Sequence, residues 1–365
     1  MIGIHDLRVR FDSDKGLVDA VQGVNIDVKP GEFYTLLGPS GCGKTTTLRC
    51  LAGLETPTGG RITIGDTVVH DTKRGLTIPT HKRDIGMVFQ SYAIWPHLTV
   101  FENVAFPLRE ARPKVPEAQI EARVGKALEL VQLGGYESRP APFLSGGQQQ
   151  RLALARAIVR EASVVLFDEP LSNLDAKLRA ETRLELRHLV KRLGMTALYV
   201  THDQTEALTM ADRVAVMRDG RIVQEATPTE IYKRPNSRFV ASFIGQCNFA
   251  DGTVTAAARG AEPGLIDTAW GPVRFDAAAD AATGAKVTIA VRPENVRLVA
   301  NGTDGAADVP QGEVIDTVFL GESVECRVRL GNSDLVARIH PDQPVEEGKA
   351  IGVMIRPKDV AILST

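Results

Sequence analysis

An octapeptide at residues 38–45 places the tightest constraint on how this chain can fold. It reads GPSGCGKT, which satisfies every fixed position of the pattern GxxxxGK[ST]. An apolar run, Phe33–Leu37, precedes it and a helical pattern, Thr45–Leu54, follows it. Glycines let the backbone N–H groups of such a loop converge on phosphate oxygens, and the N-terminus of the next helix adds favourable dipole charge. The sequence therefore predicts a strand, a phosphate-binding loop and a helix in direct succession.

The side chains of this loop indicate how a nucleotide would be held. We expect Lys44 to reach the β- and γ-phosphates and the hydroxyl of Thr45 to hold Mg²⁺. Cys42 is interpreted mainly as a small passive residue, although a helix N-terminus nearby lowers the pKa of a thiol. The other expected nucleotide contacts of the loop are Gly38, Pro39, Ser40, Gly41, Gly43 and Thr46.

Apolar runs and helical patterns alternate over residues 1–235, which predicts an α/β domain with a largely parallel core sheet. Residues 92–156 interrupt this rhythm and are expected to form an inserted helical subdomain. Antiparallel strands are expected beside the core sheet at Ile4–Phe11, Val24–Val28 and Arg61–Ile64. The core runs are Phe33–Leu37, Ile85–Phe89, Val164–Phe167, Ala197–Val200 and Arg213–Met217, with helical patterns at Glu117–Gln132 and Asp175–Leu193.

After Pro235 the helical periodicity fades, and alternating strands bounded by glycine predict an all-β, OB-like domain over residues 236–365. This part contains an internal echo. Val287–Val296 matches Ile351–Val360 at an offset of 64 residues, and both segments carry Arg-Pro after an apolar strand. The echo is either a coincidence between two strand–turn segments or the mark of two related units, and we favour the second interpretation.

A second catalytic element follows the apolar run Val164–Phe167, which ends in Asp168 and Glu169. A buried strand would deliver these two carboxylates to the edge of the sheet where the phosphate loop lies. Asp168 is then expected to hold Mg²⁺, usually through water, and Glu169 to polarise the attacking water as general base. The alternative is a strand that simply ends in solvated acids.

Between these two elements lies the pentapeptide LSGGQ at Leu144–Gln148. In this order, the three elements resemble the ATP-binding cassette (ABC) ATPases. The resemblance implies a P-loop NTPase core that forms a head-to-tail homodimer around ATP. In such a dimer the signature residues of one protomer meet the γ-phosphate held by the other, which fits an anion site at a helix N-terminus. The signature contacts that the resemblance implies are Ser145, Gly146, Gly147 and Gln148.

The resemblance extends to four further positions. Gln90 resembles the glutamine that contacts Mg²⁺ and water and senses the membrane partner, and His202 resembles the histidine that contacts the γ-phosphate. Asp175 ends a loop, Ser172–Asp175, that resembles the one crossing the dimer interface. Phe11 resembles the aromatic residue that stacks on adenine, although a Phe at the end of an edge strand is more often part of the core.

The composition of the chain indicates where in the cell such an ATPase would act and with which partners. The net charge is −2, which argues against nucleic acid as a partner, and no apolar run is long enough to span a bilayer. The four cysteines form no CxxC pair. We therefore expect a chain at the cytoplasmic face of the cell membrane that acts through separate permease subunits.

The tail resembles the regulatory (TOBE) domains of bacterial importer ATPases for maltose-type sugars, polyamines and ferric iron. In that group a solute-binding protein acts indirectly, through the permease. Gln149 and Gln150 favour the ferric-iron and polyamine branch. A surface carrying Tyr92, Trp95 and Phe101 is expected to receive a short permease helix, unless these aromatic rings pack the core of the subdomain.

Three alternatives stay open at this point. The first is an importer ATPase of the sugar type. The second is a cassette protein that acts on DNA, ribosomes or another assembly, and such proteins usually carry two cassettes or long coiled-coil insertions. The third is a nucleotide sensor that does not hydrolyse ATP, which the intact Lys44, Asp168, Glu169 and His202 disfavour.

Overall fold

The computed structural model describes residues 1–13, 16–276, 281–300 and 309–363 of the chain. The chain divides into two compact units, Met1–Pro228 and Thr229–Thr365. This division lies ahead of the change in composition at Pro235, because the short helix before that proline bonds within the second unit: the carbonyl of Tyr232 accepts from Nη2 of Arg292 at 3.2 Å. No helix in the described ranges is long and apolar enough to cross a membrane.

The first unit contains two sheets and six α-helices within its described residues. Its strands are β1 (Ile2–Ser13), β2 (Gly16–Val28), β3 (Phe33–Leu37), β4 (Gly59–Ile64), β5 (Thr67–Asp71), β6 (Leu76–Thr77), β7 (Ile85–Val88), β8 (Val164–Asp168), β9 (Thr196–Thr201), β10 (Arg213–Arg218) and β11 (Arg221–Ala226). Its helices are α1 (Lys44–Ala52), α2 (Val100–Arg109), α3 (Glu117–Leu130), α4 (Gly146–Ile158), α5 (Ala176–Arg192) and α6 (Gln204–Met210).

The central sheet has the order β11-β10-β3-β9-β8-β7, and all of its pairs are parallel except β10 with β11. Strands β3, β8 and β9 are buried along their whole length, as expected for parallel strands covered on both faces. Because these strands are parallel, their carboxyl ends meet at one edge. That edge carries the phosphate loop after β3, the two carboxylates at the end of β8 and His202 after β9.

The segment between β7 and β8 holds three helices, α2, α3 and α4, which pack a common core with one face of the central sheet. Two of these helices begin with a complete capping box, formed by Thr99 with Glu102 on α2 and by Ser145 with Gln148 on α4. A capping box satisfies two otherwise free backbone donors at a helix start. The pentapeptide LSGGQ is therefore a helix N-terminus in this fold.

In its described residues the second unit is mostly β, with two short α-helices, α7 (Pro228–Lys233) and α8 (Arg238–Phe243). Its strands form two five-stranded sheets, ordered β14-β13-β12-β15-β21 and β16-β20-β17-β18-β19, which share one apolar core. The strands are β12 (Asn248–Ala256), β13 (Gly264–Thr268), β14 (Gly271–Phe275), β15 (Lys286–Val291), β16 (Val296–Val299), β17 (Gln311–Phe319), β18 (Val324–Leu330), β19 (Ser333–Ile339), β20 (Ala350–Ile355) and β21 (Val360–Leu363).

The sequence echo corresponds to a crossing between these two sheets. Each echo segment is a strand, a 3₁₀ turn that begins at Arg-Pro, and a second strand: β15 to β16 in one copy and β20 to β21 in the other. Strand β15 pairs with β21 in one sheet, and β16 pairs with β20 in the other. Each copy thus supplies one strand to each of the two sheets. The repeated segments are therefore intertwined rather than stacked side by side.

Candidate functional site

The phosphate-binding loop connects β3 to α1 and is shaped by close backbone approach. Gly43 has φ of 101°, and a Cβ atom there would lie 2.4 Å from the carbonyl oxygen of Ala20. Only glycine fits this combination of left-handed backbone and close contact. Lys44 is buried, and its ammonium donates to the carbonyls of Gly38 at 2.7 Å and Pro39 at 3.0 Å. The ammonium of Lys44 therefore lies inside the loop, where phosphate oxygens can replace the two carbonyls as its hydrogen-bond partners.

Cys42 lies inside this loop, with Sγ 3.8 Å from Nζ of Lys44. The thiol is buried, and burial raises its pKa, outweighing the opposing effect of Lys44. The thiolate, which is the reactive form, is therefore disfavoured. This supports the interpretation of Cys42 as a small passive residue.

Thr45 and Asp168 bring two hard oxygen donors together beside the loop. The Thr45 hydroxyl donates to Oδ1 of Asp168 at 3.1 Å, and Nη2 of Arg49 lies 4.0 Å from the other carboxylate oxygen. Burial raises the pKa of Asp168, and this effect exceeds the lowering by Thr45 and Arg49. A hydroxyl and a carboxylate beside a phosphate-binding loop form a set of hard oxygen donors of the kind that Mg²⁺ prefers, so the residues fit that ion.

Glu169 follows Asp168 in a strained conformation, with φ of 45°. Its N–H donates to the carbonyl of Val200 at 3.1 Å, which ties the residue to β9. Its Oε2 lies 2.9 Å from Nδ1 of His202, and the two side chains are 17% and 55% exposed. The structure thus brings the two sequence-predicted residues into direct contact at the edge of the sheet, with the carboxylate oriented by the imidazole.

A buried acidic residue behind His202 was missed in the sequence analysis. Oε2 of Glu206 accepts from the hydroxyl of Tyr199 at 2.8 Å and from that of Thr201 at 2.7 Å. Burial raises the pKa of Glu206. Thr201 in turn accepts from the backbone N–H of Asp203, which caps α6. The network fixes the turn that carries His202, and an acid four residues after a histidine was the available signal.

Gln90 and the loop Ser172–Asp175 meet through a contact that sequence reasoning did not predict. Nδ2 of Asn173 donates to the carbonyl of Gln90 at 2.8 Å, while the hydroxyl of Ser172 donates to the carbonyl of Glu169 at 3.0 Å. Asp175 caps α5 by accepting from the N–H of Leu178. The loop after Glu169 is therefore tied to both Gln90 and the general-base candidate.

The signature residues present a free helix end. Ser145 and Gly146 are exposed, whereas Gly147 is buried, and a Cβ at Gly147 would lie 3.3 Å from a methyl carbon of Leu178 on α5. Gln148 completes the capping box with Ser145. An exposed helix N-terminus that carries a hydroxyl and glycine N–H groups is suited to an anion.

Phe11 lies near the end of β1, opposite Val18 of β2, and its side chain is 37% exposed. The same stretch of β2 contacts the phosphate loop at Ala20. Phe11 therefore lies outside the buried core and on the strand pair that borders the loop, as a base-stacking residue would.

The strand–loop–helix unit and the parallel sheet around it are those of a P-loop nucleoside triphosphatase. Comparison with known sequences narrows the class. Residues 21–172 match the profile of the ABC transporter family, and residues 289–363 match that of the TOBE domain. The chain belongs to the ABC transporter family, as an ATPase cassette followed by a TOBE domain.

Two relatives and one solved structure illustrate the similarity. The spermidine/putrescine import ATP-binding protein PotA of Rubrobacter xylanophilus is 47% identical over 92% of this chain and 87% of its own length. The trehalose/maltose import ATP-binding protein MalK of Thermococcus litoralis is 44% identical over 95% and 94%. The dimeric ABC transporter cassette MJ0796 is 31% identical, with a TM-score of 0.54 over 62% of this chain and 99% of that cassette.

A second structure of the same cassette shows a post-hydrolysis state bound to ADP and Pi, with the same identity, TM-score and coverage. These comparisons confirm the predicted fold class, the ATPase activity and the identification with importer ATPases that carry a TOBE domain.

Proposed function

We propose that this chain is the ATP-hydrolysing subunit of a polyamine importer, which drives solute uptake through separate membrane permease subunits. The observation that carries the catalytic part is the contact between Glu169 and His202 beside the Thr45–Asp168 pair. The import part is supported by the names of the relatives, which are import ATP-binding proteins.

In this proposal each side chain of the edge has one task. Lys44 and the loop N–H groups hold the β- and γ-phosphates, and Phe11 stacks on the base. Mg²⁺, when bound by Thr45, Asp168 and Gln90, neutralises charge on the phosphates. Glu169 accepts the proton of the attacking water, and His202 orients Glu169 and donates to the γ-phosphate.

The signature helix completes the site from a second copy of the chain. Ser145 and Gly146 are exposed, and a bound γ-phosphate supplies the charge that such a helix end attracts. Asp175 and its loop lie between the two nucleotides of this dimer. The neighbouring cassette MJ0796 forms a dimer, which supports the same arrangement here.

Polyamine is proposed as the solute because spermidine/putrescine appears in the names of most of the similar relatives. A trehalose- or maltose-type sugar is the second candidate, on the evidence of the relative from Thermococcus. Ferric iron, which Gln149 and Gln150 also suggested, finds no support among these names. The chain would lie at the cytoplasmic face of the membrane, and a solute-binding protein would act on it only through the permease.

Uptake by cells that lack this chain tests the proposal. Deletion of its gene is expected to abolish uptake of radiolabelled spermidine. The wild-type gene should restore uptake, while a gene encoding Glu169→Gln should not. Normal spermidine uptake with lost maltose uptake would favour the sugar candidate, and normal uptake of both solutes would refute the polyamine and sugar assignments together.

A further inference from the structure

One buried arginine in the signature helix has no place in the chemistry described above. Arg156 lies near the end of α4, the helix that begins with the signature residues, and it is only 8% exposed. Among the described residues no carboxylate forms an ion pair with it. Burial lowers its pKa to about 10. A buried charge without a carboxylate partner is costly, which points to a specific task for this side chain.

The guanidinium holds the turn that follows Gln90. Its Nη2 donates to the carbonyl of Tyr92 at 2.7 Å and its Nη1 to that of Ala93 at 2.6 Å. Both residues have left-handed backbone, with φ of 58° and 48°. Such conformations are unfavourable in residues other than glycine and persist only where the surroundings enforce them. Arg156 supplies that enforcement through two charge-assisted hydrogen bonds.

The same guanidinium also contacts the ring of Trp95, which belongs to the surface expected to receive a permease helix. Its Cζ lies 4.7 Å from the centroid of the Trp95 ring, within the range of a cation–π contact. Trp95 packs on Phe106 of α2, with ring centroids 4.4 Å apart. Asn103 fixes the Trp95 backbone by accepting from its N–H at 3.0 Å and donating to its carbonyl at 3.1 Å.

The aromatic residues exposed on the expected permease surface differ from those that the sequence suggested. Tyr92 is buried in the subdomain core and Phe101 is half-buried against that core, so neither is the exposed anchor that the sequence suggested. Phe106, which the sequence analysis did not single out, is 40% exposed. The aromatic pair on this surface is therefore exposed Phe106 with half-buried Trp95 packed on it.

We propose that Arg156 is a positioning residue that couples movement of the signature helix to the Trp95–Phe106 pair and to the turn after Gln90. Arg156 lies eleven residues after Ser145 on one continuous helix, about 16 Å away at 1.5 Å per residue. A shift of α4 when Ser145 engages ATP therefore displaces the partners of Arg156 directly. The inference rests on the proposed function, in which Ser145 contacts ATP and the aromatic pair faces the permease.

Tryptophan fluorescence of the whole chain tests this coupling without the permease. The chain has two tryptophans, so Trp270→Phe leaves Trp95 as the only reporter. In a Glu169→Gln, Trp270→Phe parent, MgATP is expected to change the Trp95 emission. Arg156→Met should reduce that change at least about fivefold while the Kd for ATP stays within about twofold. Arg156→Lys, which retains the cation and one donor group, should restore part of the change.

A matched control is Arg160→Met, at an exposed arginine just after α4, which should leave the signal intact. A signal equal to the parent's in either Arg156 variant would overturn the proposal, as would a parent with no response to MgATP. If Arg156→Met fails to fold, the lysine variant decides by the same criterion.

A second measurement separates this inference from the proposed function. In the reconstituted transporter, Arg156→Met should retain the basal ATPase rate but lose stimulation by the solute-loaded binding protein. Absence of stimulation in the wild type would refute the importer assignment, while the fluorescence result would still decide the role of Arg156.

Discussion

Replacement of Glu169 by glutamine tests the catalytic assignment in isolation. The amide is the same size as the carboxylate and can still accept from His202 over the 2.9 Å contact, so the strained turn at φ 45° should persist. What is lost is the capacity to take a proton from water. General-base catalysis contributes about 10²–10⁴-fold, which corresponds to about 3–5 kcal/mol of transition-state stabilisation. We therefore expect kcat to fall at least about a hundredfold.

The assay is steady-state ATP hydrolysis at saturating MgATP, with the Kd for ATP measured separately on the same protein. The Kd should stay within about twofold of wild type, because Lys44 and the loop N–H groups are untouched. Glu181→Gln, the same change at an exposed position on α5, is the control and should leave kcat unchanged. Hydrolysis at the wild-type rate in Glu169→Gln would show that this carboxylate is not the general base.

Three further predictions concern the loop, its helix and the buried carboxylate. Gly43→Ala should weaken ATP binding at least about tenfold, or about 1.4 kcal/mol, because its Cβ would meet the Ala20 carbonyl; unchanged affinity in a fluorescent-nucleotide titration would contradict this. Arg83→Met should lower the free energy of unfolding, measured in urea, by about 3 kcal/mol, since buried Arg83 donates to the carbonyls of Cys50 and Leu51 at the end of α1. Lys82→Met, at an exposed position, is the control. If Arg83→Met lost no more stability than this control, Arg83 would not have the proposed role. Asp168→Asn should stabilise the nucleotide-free protein at neutral pH, because the raised pKa of Asp168 means that its ionised form opposes folding. This gain in the free energy of unfolding should shrink as the pH falls through the raised pKa of Asp168 towards the usual pKa range of Asp. A difference between variant and wild type that does not depend on pH, measured by urea unfolding, would contradict the prediction.

The parts of the site that sequence reasoning located are those in which chemistry dictates residue type and spacing. The octapeptide predicted the loop between β3 and α1, and the carboxylates after Val164–Phe167 lie where β8 ends. Parallel strands bring such ends to one edge of the sheet. His202 after β9 was expected from the resemblance alone, and its contact with Glu169 came from the structure. Most of the predicted strand and helix limits differ from the observed ones by at most two residues, because apolar runs with turn residues at both ends leave little choice of boundary. Strand β2 is the exception, since it begins at Gly16 rather than at Val24.

What the sequence did not show depends on tertiary packing. The burial of Tyr92 and the exposure of Phe106 follow from how α2 and α4 pack, and neither residue type announces it. The echo around Arg292 and Arg356 signalled repetition, yet the two copies differ in chemistry. Arg292 is buried against the carbonyls of Ala241, Gly245 and Gln246, whereas Arg356 pairs with Asp359 at 2.5 Å. The exchange of strands between the two sheets could not be deduced from similarity alone.

The central claim is that residues 144–148 of one copy serve the nucleotide held by another. The most direct measurement is ATP retained after rapid gel filtration of Glu169→Gln, with and without Ser145→Arg. Glu169→Gln alone should trap MgATP, and the double variant should bind ATP with an unchanged Kd yet trap none. The added guanidinium blocks the exposed helix end that would close over the γ-phosphate of the partner, while it leaves each chain's own loop intact. Equal trapping by both proteins would contradict the composite site.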